Sequence, residues 1–549
     1  MRWYRSISSF GRPGAAITVV ALAAVALLPG CISFFSHPTG TYYVSPSGHD
    51  SADGLTPQTA WRTLHRASEA NLRPGNRLLF QGGHRFTGHL RLGTRDGGSP
   101  HNPIRIGSYG KGRAVIAGTG GSAIVVVDTS GVVIANLILT GGRPARRGSA
   151  GVQLFSDRPA GHQERHIVIE GLDVSGFDNG ISIGAVHPSA GFGDVSISNC
   201  VLHANIRSGI SSYGPRFDAT APSYAHSRLR IADVEVFGNR GDPADHHSNT
   251  GNGIVLGSVS NALVTRSTAH DNGGANGAPH EGPIGIWAYD STGVVIEHSL
   301  SYHNQTATQR DGGGFGFDQN TSDSILQYNL SYGNAGAGYQ VYAPGTTSNT
   351  RNVVRFNISS GDAGRTIDAA GIIVAGRVSA TAVYQNTVVV GRAPGHPALW
   401  IGRVRYVAVR NNIFLTTDPG PIVVATHPLG TSDALLQGND YFTTGSGWLV
   451  RWGGGTEYGS LRAWRAATGQ ELAHAAAAGI AADPRLTGPV LGLTNPTATA
   501  PGNGVGFVPR PGSPVLGAGI DLSKFGVDPG STDYSGRSLS KTAPNIGAG

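Results

Sequence analysis

Through the middle of the chain the apolar positions recur on a regular beat. An apolar anchor is followed three positions later by a polar or small residue, then by another apolar residue and a short turn. Val-Ile-Glu-His-Ser-Leu-Ser-Tyr-His-Asn at 295–304 and Ile-Leu-Gln-Tyr-Asn-Leu-Ser-Tyr-Gly-Asn at 325–334 show the pattern side by side. The anchors are Ile134, Ile169, Ile197, Ile231, Val264, Ile296, Leu326, Val354, Val383, Val409 and Leu436, with separations from 26 (383 to 409) to 35 (134 to 169). A period in this range predicts a solenoid, in which each unit buries its apolar face only against its neighbours. Inside each unit apolar and polar residues alternate, which predicts short strands rather than helix pairs, and glycines break the units where sharp turns are needed. Three positions after the anchor lies a column of Asn329, Asn357, Asn386, Asn412 and Asn439. In-register strands place like side chains above one another, where amides bond along the stack; as isolated residues the same asparagines would be turn formers. The pattern predicts an all-β chain whose region 121–445 is a single-stranded parallel β-helix with an internal asparagine ladder.

The rest of the chain departs from the beat. Arg2, Arg5 and Arg12 precede an apolar run from Ala15 to Leu28 that is short for a membrane span, and Leu28-Pro29-Gly30-Cys31 closes it. This resembles a bacterial lipoprotein signal (1–31) and implies that Cys31 is lipidated, with a linker at 32–40 and an exported protein tethered to a membrane at the cell surface or in the periplasm. An uncleaved anchor or plain secretion is the alternative. Residues 41–120 read as a terminal cap with a helix near Trp61–Ala70, and 446–549 as a C-terminal capping region with a short helix over Ser460–Gly469. Asp50 and Asp53 offer carboxylates to calcium, which makes that ion a possible cofactor; turn formation is the other reading of both. Cys200 is left without a disulfide partner once Cys31 is modified.

Composition narrows the function classes. Of 549 residues 83 are Gly and 14% are charged, and the net charge of +7 is spread without a Lys/Arg run, so nucleic acid is not an expected partner. A monomer is expected. No lysine lies between Lys111 and Lys524.

The opening block Tyr42-Tyr-Val-Ser-Pro-Ser-Gly-His-Asp-Ser-Ala-Asp-Gly54, the stretch from Gly282-Pro-Ile-Gly-Ile-Trp to Asp311-Gly-Gly-Gly-Phe-Gly-Phe-Asp318 and the closing Ser513-Pro-Val-Leu-Gly-Ala-Gly519 resemble the bacterial right-handed parallel β-helix repeat proteins, related in shape to pectate lyases. The resemblance implies a right-handed helix and leaves the chemistry open, because this fold hosts lyases, glycosidases, epimerases and adhesins.

A β-helix needs an open groove walled by insertions, and insertions cluster at 212–228, 240–252, 272–284, 304–313 and 360–370. Alternation turns Ile286, Ala288, Phe315 and Phe317 inward and Trp287, Tyr289, Asp318, Gln340 and Tyr342 outward. The expectation is one exposed aromatic patch that binds a polysaccharide. Asp311, Asp318 and Glu281 are the catalytic candidates; His280, Asp290 and Arg310 join the aromatic residues as binding candidates, with Gly312, Gly313, Gly314 and Gly316 clearing space. Two carboxylates are what glycosidic hydrolysis requires. The ranking places a glycoside hydrolase first. A polysaccharide lyase with an arginine (Arg310, Arg365 or Arg377) or histidine base is second, since no lysine is at hand. A non-catalytic glycan binder is third. Asp242, Asp245, His246 and His247 form a loop with ligand-type side chains whose simpler reading is a solvated surface.

Overall fold

The computed structural model describes residues 40–549, apart from 143–144, 368, 392, 489–490 and 492–505. The expected lipidation site, Cys31, lies outside the described residues.

The chain winds as a right-handed parallel β-helix. Three long sheets run along it, two of 14 strands and one of 13. The eleven anchors are direct partners from coil to coil, Ile134 with Ile169, then Ile197, Ile231, Val264, Ile296, Leu326, Val354, Val383, Val409 and Leu436. All are buried. Every third strand therefore presents an apolar side chain to the same interior column, and stacking buries what no single coil can.

The coils start earlier than the periodicity predicts. Thr41–Val44 pairs in parallel with Arg77–Gln81, which pairs with Ile104–Tyr109, which pairs with Val132–Ala135. Residues 41–120 are thus part of the solenoid, a correction to the reading of this segment as a separate cap. The excursion at 45–63 hides the period. It is clamped by Trp61, which stacks on Tyr42 at 4.9 Å, and by Asp50, whose carboxylate accepts from Arg62 N, Thr63 N and Thr63 Oγ1. Those bonds, and the Leu55 N–H on Asp53, give both aspartates a turn-holding role. The helix here is only Leu64–Ser68.

At the other end helix Leu461–Thr468 forms where expected, with Ser460 accepting from Ala463 N and Gly469 at φ 70°. Its buried Trp464 closes the last coil against Tyr441 and Trp452 at 5.5 and 5.3 Å. The first part of the tail covers the last coil: Gln470 Oε1 accepts from Leu436 N and its Nε2 donates to the Ala434 carbonyl, the Glu471 N–H donates to the Leu436 carbonyl, and Ile480 bridges to Asp440. Farther on, Phe507, Val515, Tyr534 and Ile546 pack back along Ile358, Val389, Ile413 and Leu415, and Gln385 donates to the carbonyls of Asn545 and Gly547. An apolar flank on those strands is thereby covered.

The asparagine ladder is continuous. Asn329 Nδ2 donates to Asn357 Oδ1 at 3.1 Å, Asn357 to Asn386 at 3.1 Å, Asn386 to Asn412 at 2.9 Å and Asn412 to Asn439 at 2.9 Å. It ends on the buried carboxylate of Glu471, 2.7 Å from Asn439 Nδ2. A second ladder was not foreseen. Asn239, Asn272, Asn304 and Asn334 are linked at 2.9–3.0 Å and end on buried Asp362 at 2.8 Å.

Candidate functional site

The groove lies on one of the 14-stranded sheets. Ile254, Ile286, Phe315, Tyr339, Ile372 and Leu399 are successive partners pointing inward, so the residues one position on face out. They form a column of Val255, Trp287, Gly316, Gln340, Ile373 and Trp400. Two positions further lies a second column, Tyr213, Gly257, Tyr289, Asp318, Tyr342 and Ala375. The glycines make room for rings: a Cβ on Gly257 would sit 2.3 Å from the Tyr289 ring.

Two adjoining cavities occupy this face. One, of about 570 Å³, is floored by Trp287, Tyr289, Tyr213 and Val255 and holds Asp311, Asp318 and Glu281. The other, of about 670 Å³, is lined by Ile373 and Trp400 with Arg310, Arg377, Arg403 and His427. His280, Asp311, Tyr342 and Pro344 border both and mark the junction. All five predicted insertions supply lining residues: Tyr213, Asn249, Glu281, Asp311 and Ile367 come from one each.

The outward patch is not the exposed surface that alternation predicts. Trp287 is only 6% exposed and Gln340 is buried, whereas Tyr342 is 39% exposed. Trp287 packs with Val255, Ile284 and Tyr289 and donates Nε1–H to Asn252 Oδ1 at 2.9 Å. Outward from the solenoid is here inward to the walls, because the insertions fold over the same strands. Burial pushes the Tyr289 phenol up to about 12.

The carboxylates differ in their holds. Asp311 stands at φ 54° and its Oδ2 accepts the Gly282 N–H at 2.8 Å. Burial raises it to about 6, against that hydrogen bond, the Arg310 charge and the Gln340 amide. Asp318 accepts the Gln319 N–H at 2.7 Å; burial, then the charges of Asp311, Glu281 and Asp290, push it to about 7. Glu281 and His280 sit exposed on the rim. Asp290 lines neither cavity and accepts from Asn320 Nδ2 at 2.7 Å, so its place is a bridge between coils rather than the binding position expected.

Three of the four glycines expected to clear the groove serve the fold instead. A Cβ on Gly314 would strike Ser331 Oγ at 2.2 Å in the interior, Gly313 abuts the Ala337 carbonyl, and Gly312 takes φ 75°. Gly316 alone opens the floor between Trp287 and Gln340.

Of the other candidates, Arg365 lines neither cavity and donates to Gln305 Oε1. Asp245 is buried and clamped by Arg207 and Arg147; burial opposes its charge, but the N–H groups of His247 and Ser248 and the Arg207 guanidinium hold it down at about 2. It fastens a wall loop. Sequence reasoning passed over Trp400, Arg403 and His427, although Leu399-Trp-Ile401 alternates as Gly285-Ile-Trp-Ala288 does.

Residues 242–388 match the family model for the right handed beta helix region. The fold is a right-handed β-helix. None of the curated proteins matches the chain. Among solved structures it is similar to a GH136 lacto-N-biosidase from Eubacterium ramulus, at 19% identity and TM-score 0.50, covering 70% of this chain and 65% of that one. The chain thus spans about two-thirds of that enzyme's length. It also aligns with a pectate lyase (16% identity, 92% and 95% of the two chains, TM-score 0.41) and a PL6 family alginate lyase (13%, 77% and 56%, TM-score 0.45). At these identities the likeness concerns the fold.

Proposed function

We propose that the chain is an extracytoplasmic glycoside hydrolase that holds a glycan in the groove and cleaves it at the Asp311–Asp318 pair. One observation carries the reading: two carboxylates, both raised toward neutrality, sit in a walled cavity with an aromatic floor. Hydrolysis of a glycosidic bond needs a proton for the departing oxygen and a carboxylate that steadies the positive sugar or activates water. Asp318, which burial and the charges of Asp311, Glu281 and Asp290 raise to about 7, holds a proton for a large share of the time at neutral pH and serves as acid. Asp311, lower and held by the Gly282 N–H and Gln340, serves as the carboxylate. Glu281, from the rim, adds charge that helps Asp318 stay protonated. Tyr342 offers an exposed ring for a sugar face. The GH136 enzyme of similar fold is by name a lacto-N-biosidase, so this architecture accommodates glycosidic chemistry.

A lyase is the second reading, favoured by His280 and Arg377 lining the cavity that shares Asp311. Product analysis on the hits of a glycan array decides: a new reducing end without near-ultraviolet absorbance supports the hydrolase, and an unsaturated uronide supports the lyase. Affinity with neither product would make the protein a binder. Export and a lipid at Cys31 belong to the same proposal, and mass spectrometry of the mature N-terminus tests them: an acylated Cys31 supports the tether, and an unmodified N-terminus elsewhere removes it.

A further inference from the structure

The two cavities differ in charge, and the difference bears on the substrate. The larger one gathers Arg310, Arg377, Arg403, His427 and His280 around a single carboxylate, Asp311. Arg377 and Arg403 are exposed, and no ion pair between described residues involves either. They also stand on neighbouring coils. Arg377 precedes Val378 and Arg403 precedes Val404, a pair on adjacent strands about 4.8 Å apart, so both guanidiniums reach the same cavity from successive coils. Like charges on adjacent strands oppose folding. An anion between two guanidiniums reverses the sign, because each planar fork accepts a carboxylate or sulfate through paired hydrogen bonds.

The smaller cavity has the opposite character. Its one arginine, Arg207, is already engaged by Asp178 at 3.7 Å and Asp245 at 3.0 Å. Beyond the carboxylates and the shared His280 its polar lining is hydroxyls and amides, with rings beside them, including Ser182, Ser211, Asn179, Asn249 and Tyr213. Asp311 and Glu281 repel an anion there, while hydroxyls, amides and ring faces suit an uncharged sugar.

We infer that the substrate is a mixed glycan, with an anionic sugar over Arg377 and Arg403, an uncharged sugar over Trp287 and Tyr289, and the carboxylate pair between them. This rests on the glycan-groove reading above. It distinguishes the chain from an enzyme built for a uniformly charged polymer, whose subsites would be basic on both sides of the cleavage point.

The test is an array of hexasaccharides that are neutral (chitohexaose), uniformly uronic (hexagalacturonate), mixed with a carboxylate (hyaluronan hexasaccharide) and mixed with a sulfate (keratan sulfate hexasaccharide sulfated on the glucosamine alone). Titration of the strongest hit with the Arg377→Gln/Arg403→Gln protein follows. The inference expects the strongest hit to be mixed, its affinity to fall at least ten-fold in the double variant and to recover only in part in Arg377→Lys/Arg403→Lys, which keeps the charge without the planar fork, with the melting midpoint of the glutamine variant unchanged or raised. Preference between the last two probes separates a carboxylate from a sulfate as the anion. A neutral strongest hit, or one indifferent to the double variant, overturns the charged subsite and leaves the groove reading standing. A uniformly uronic strongest hit overturns the uncharged side. No hit in any class overturns the groove reading itself along with the inference.

Discussion

Two polar columns run along this solenoid, and they are built on opposite plans. The interior column from Asn329 to Asn439 repeats one side chain, and each amide is satisfied by the next. The groove column, Tyr213, Gly257, Tyr289, Asp318 and Tyr342, never sets the same side chain on successive coils: tyrosines are separated by a glycine and by a carboxyl. A repeated column closes its hydrogen bonds within itself and can only support the fold. A varied column at the same stacking distance leaves a carboxyl facing a cavity, with a ring on either side. In a solenoid, where the period is broken is where chemistry can enter.

The sharpest break of the comparison is Asp318→Asn. On a substrate found by array, kcat is expected to fall roughly 10²–10⁴-fold, because an amide keeps the shape but cannot donate the proton. Thermal stability should hold or rise, since a carboxyl raised to about 7 gains nothing for the fold by ionising. An unaffected kcat removes Asp318 from the chemistry.

Trp287→Ala tests whether the floor is structure or contact surface. With the ring buried and bonded to Asn252, truncation should cost about 3 kcal/mol of stability in denaturant unfolding. A loss confined to glycan affinity would return Trp287 to the exposed role that alternation assigns it.

Asn386→Leu breaks the interior column in the middle. Both neighbouring amides lose a partner, and the expected cost is about 2 kcal/mol. An unchanged melting midpoint would mean the ladder is dispensable.

The smallest effect concerns the ladder ends. Burial raises Glu471 to about 7 and Asp362 to about 6. Their folded values lie above the unfolded ones, so the stability they contribute is complete below the ordinary carboxylate range and is lost progressively as pH rises from that range to about 6 for Asp362 and about 7 for Glu471. The melting midpoint should fall across that window, and Asp362→Asn should flatten part of the slope. A midpoint that climbs through the same window would contradict these assignments.

Periodicity was legible where units are alike. The eleven anchors and the first ladder stand in sequence because each coil solves the same burial problem with the same residue class. The second ladder was legible too, in Asn239, Asn272, Asn304 and Asn334, but its column lies at the next corner and was not followed. The first coils, around Tyr42, Leu78 and Ile106, were hidden by the long excursion at 45–63.

What the sequence determined by itself is therefore the interior: strand, alternation and stack follow from local pattern, because neighbouring coils meet in register. Alternation also says that Trp287 and Asp318 face away from that interior. Only the tertiary structure decided what they face. Insertions as far apart along the chain as 212–228 and 360–370 fold over the same strands, bury Trp287, lift Asp318 toward neutrality and part the groove into an acidic and a basic half. Desolvation and the summed field of charges depend on every neighbour in space, and no spacing along the chain encodes them.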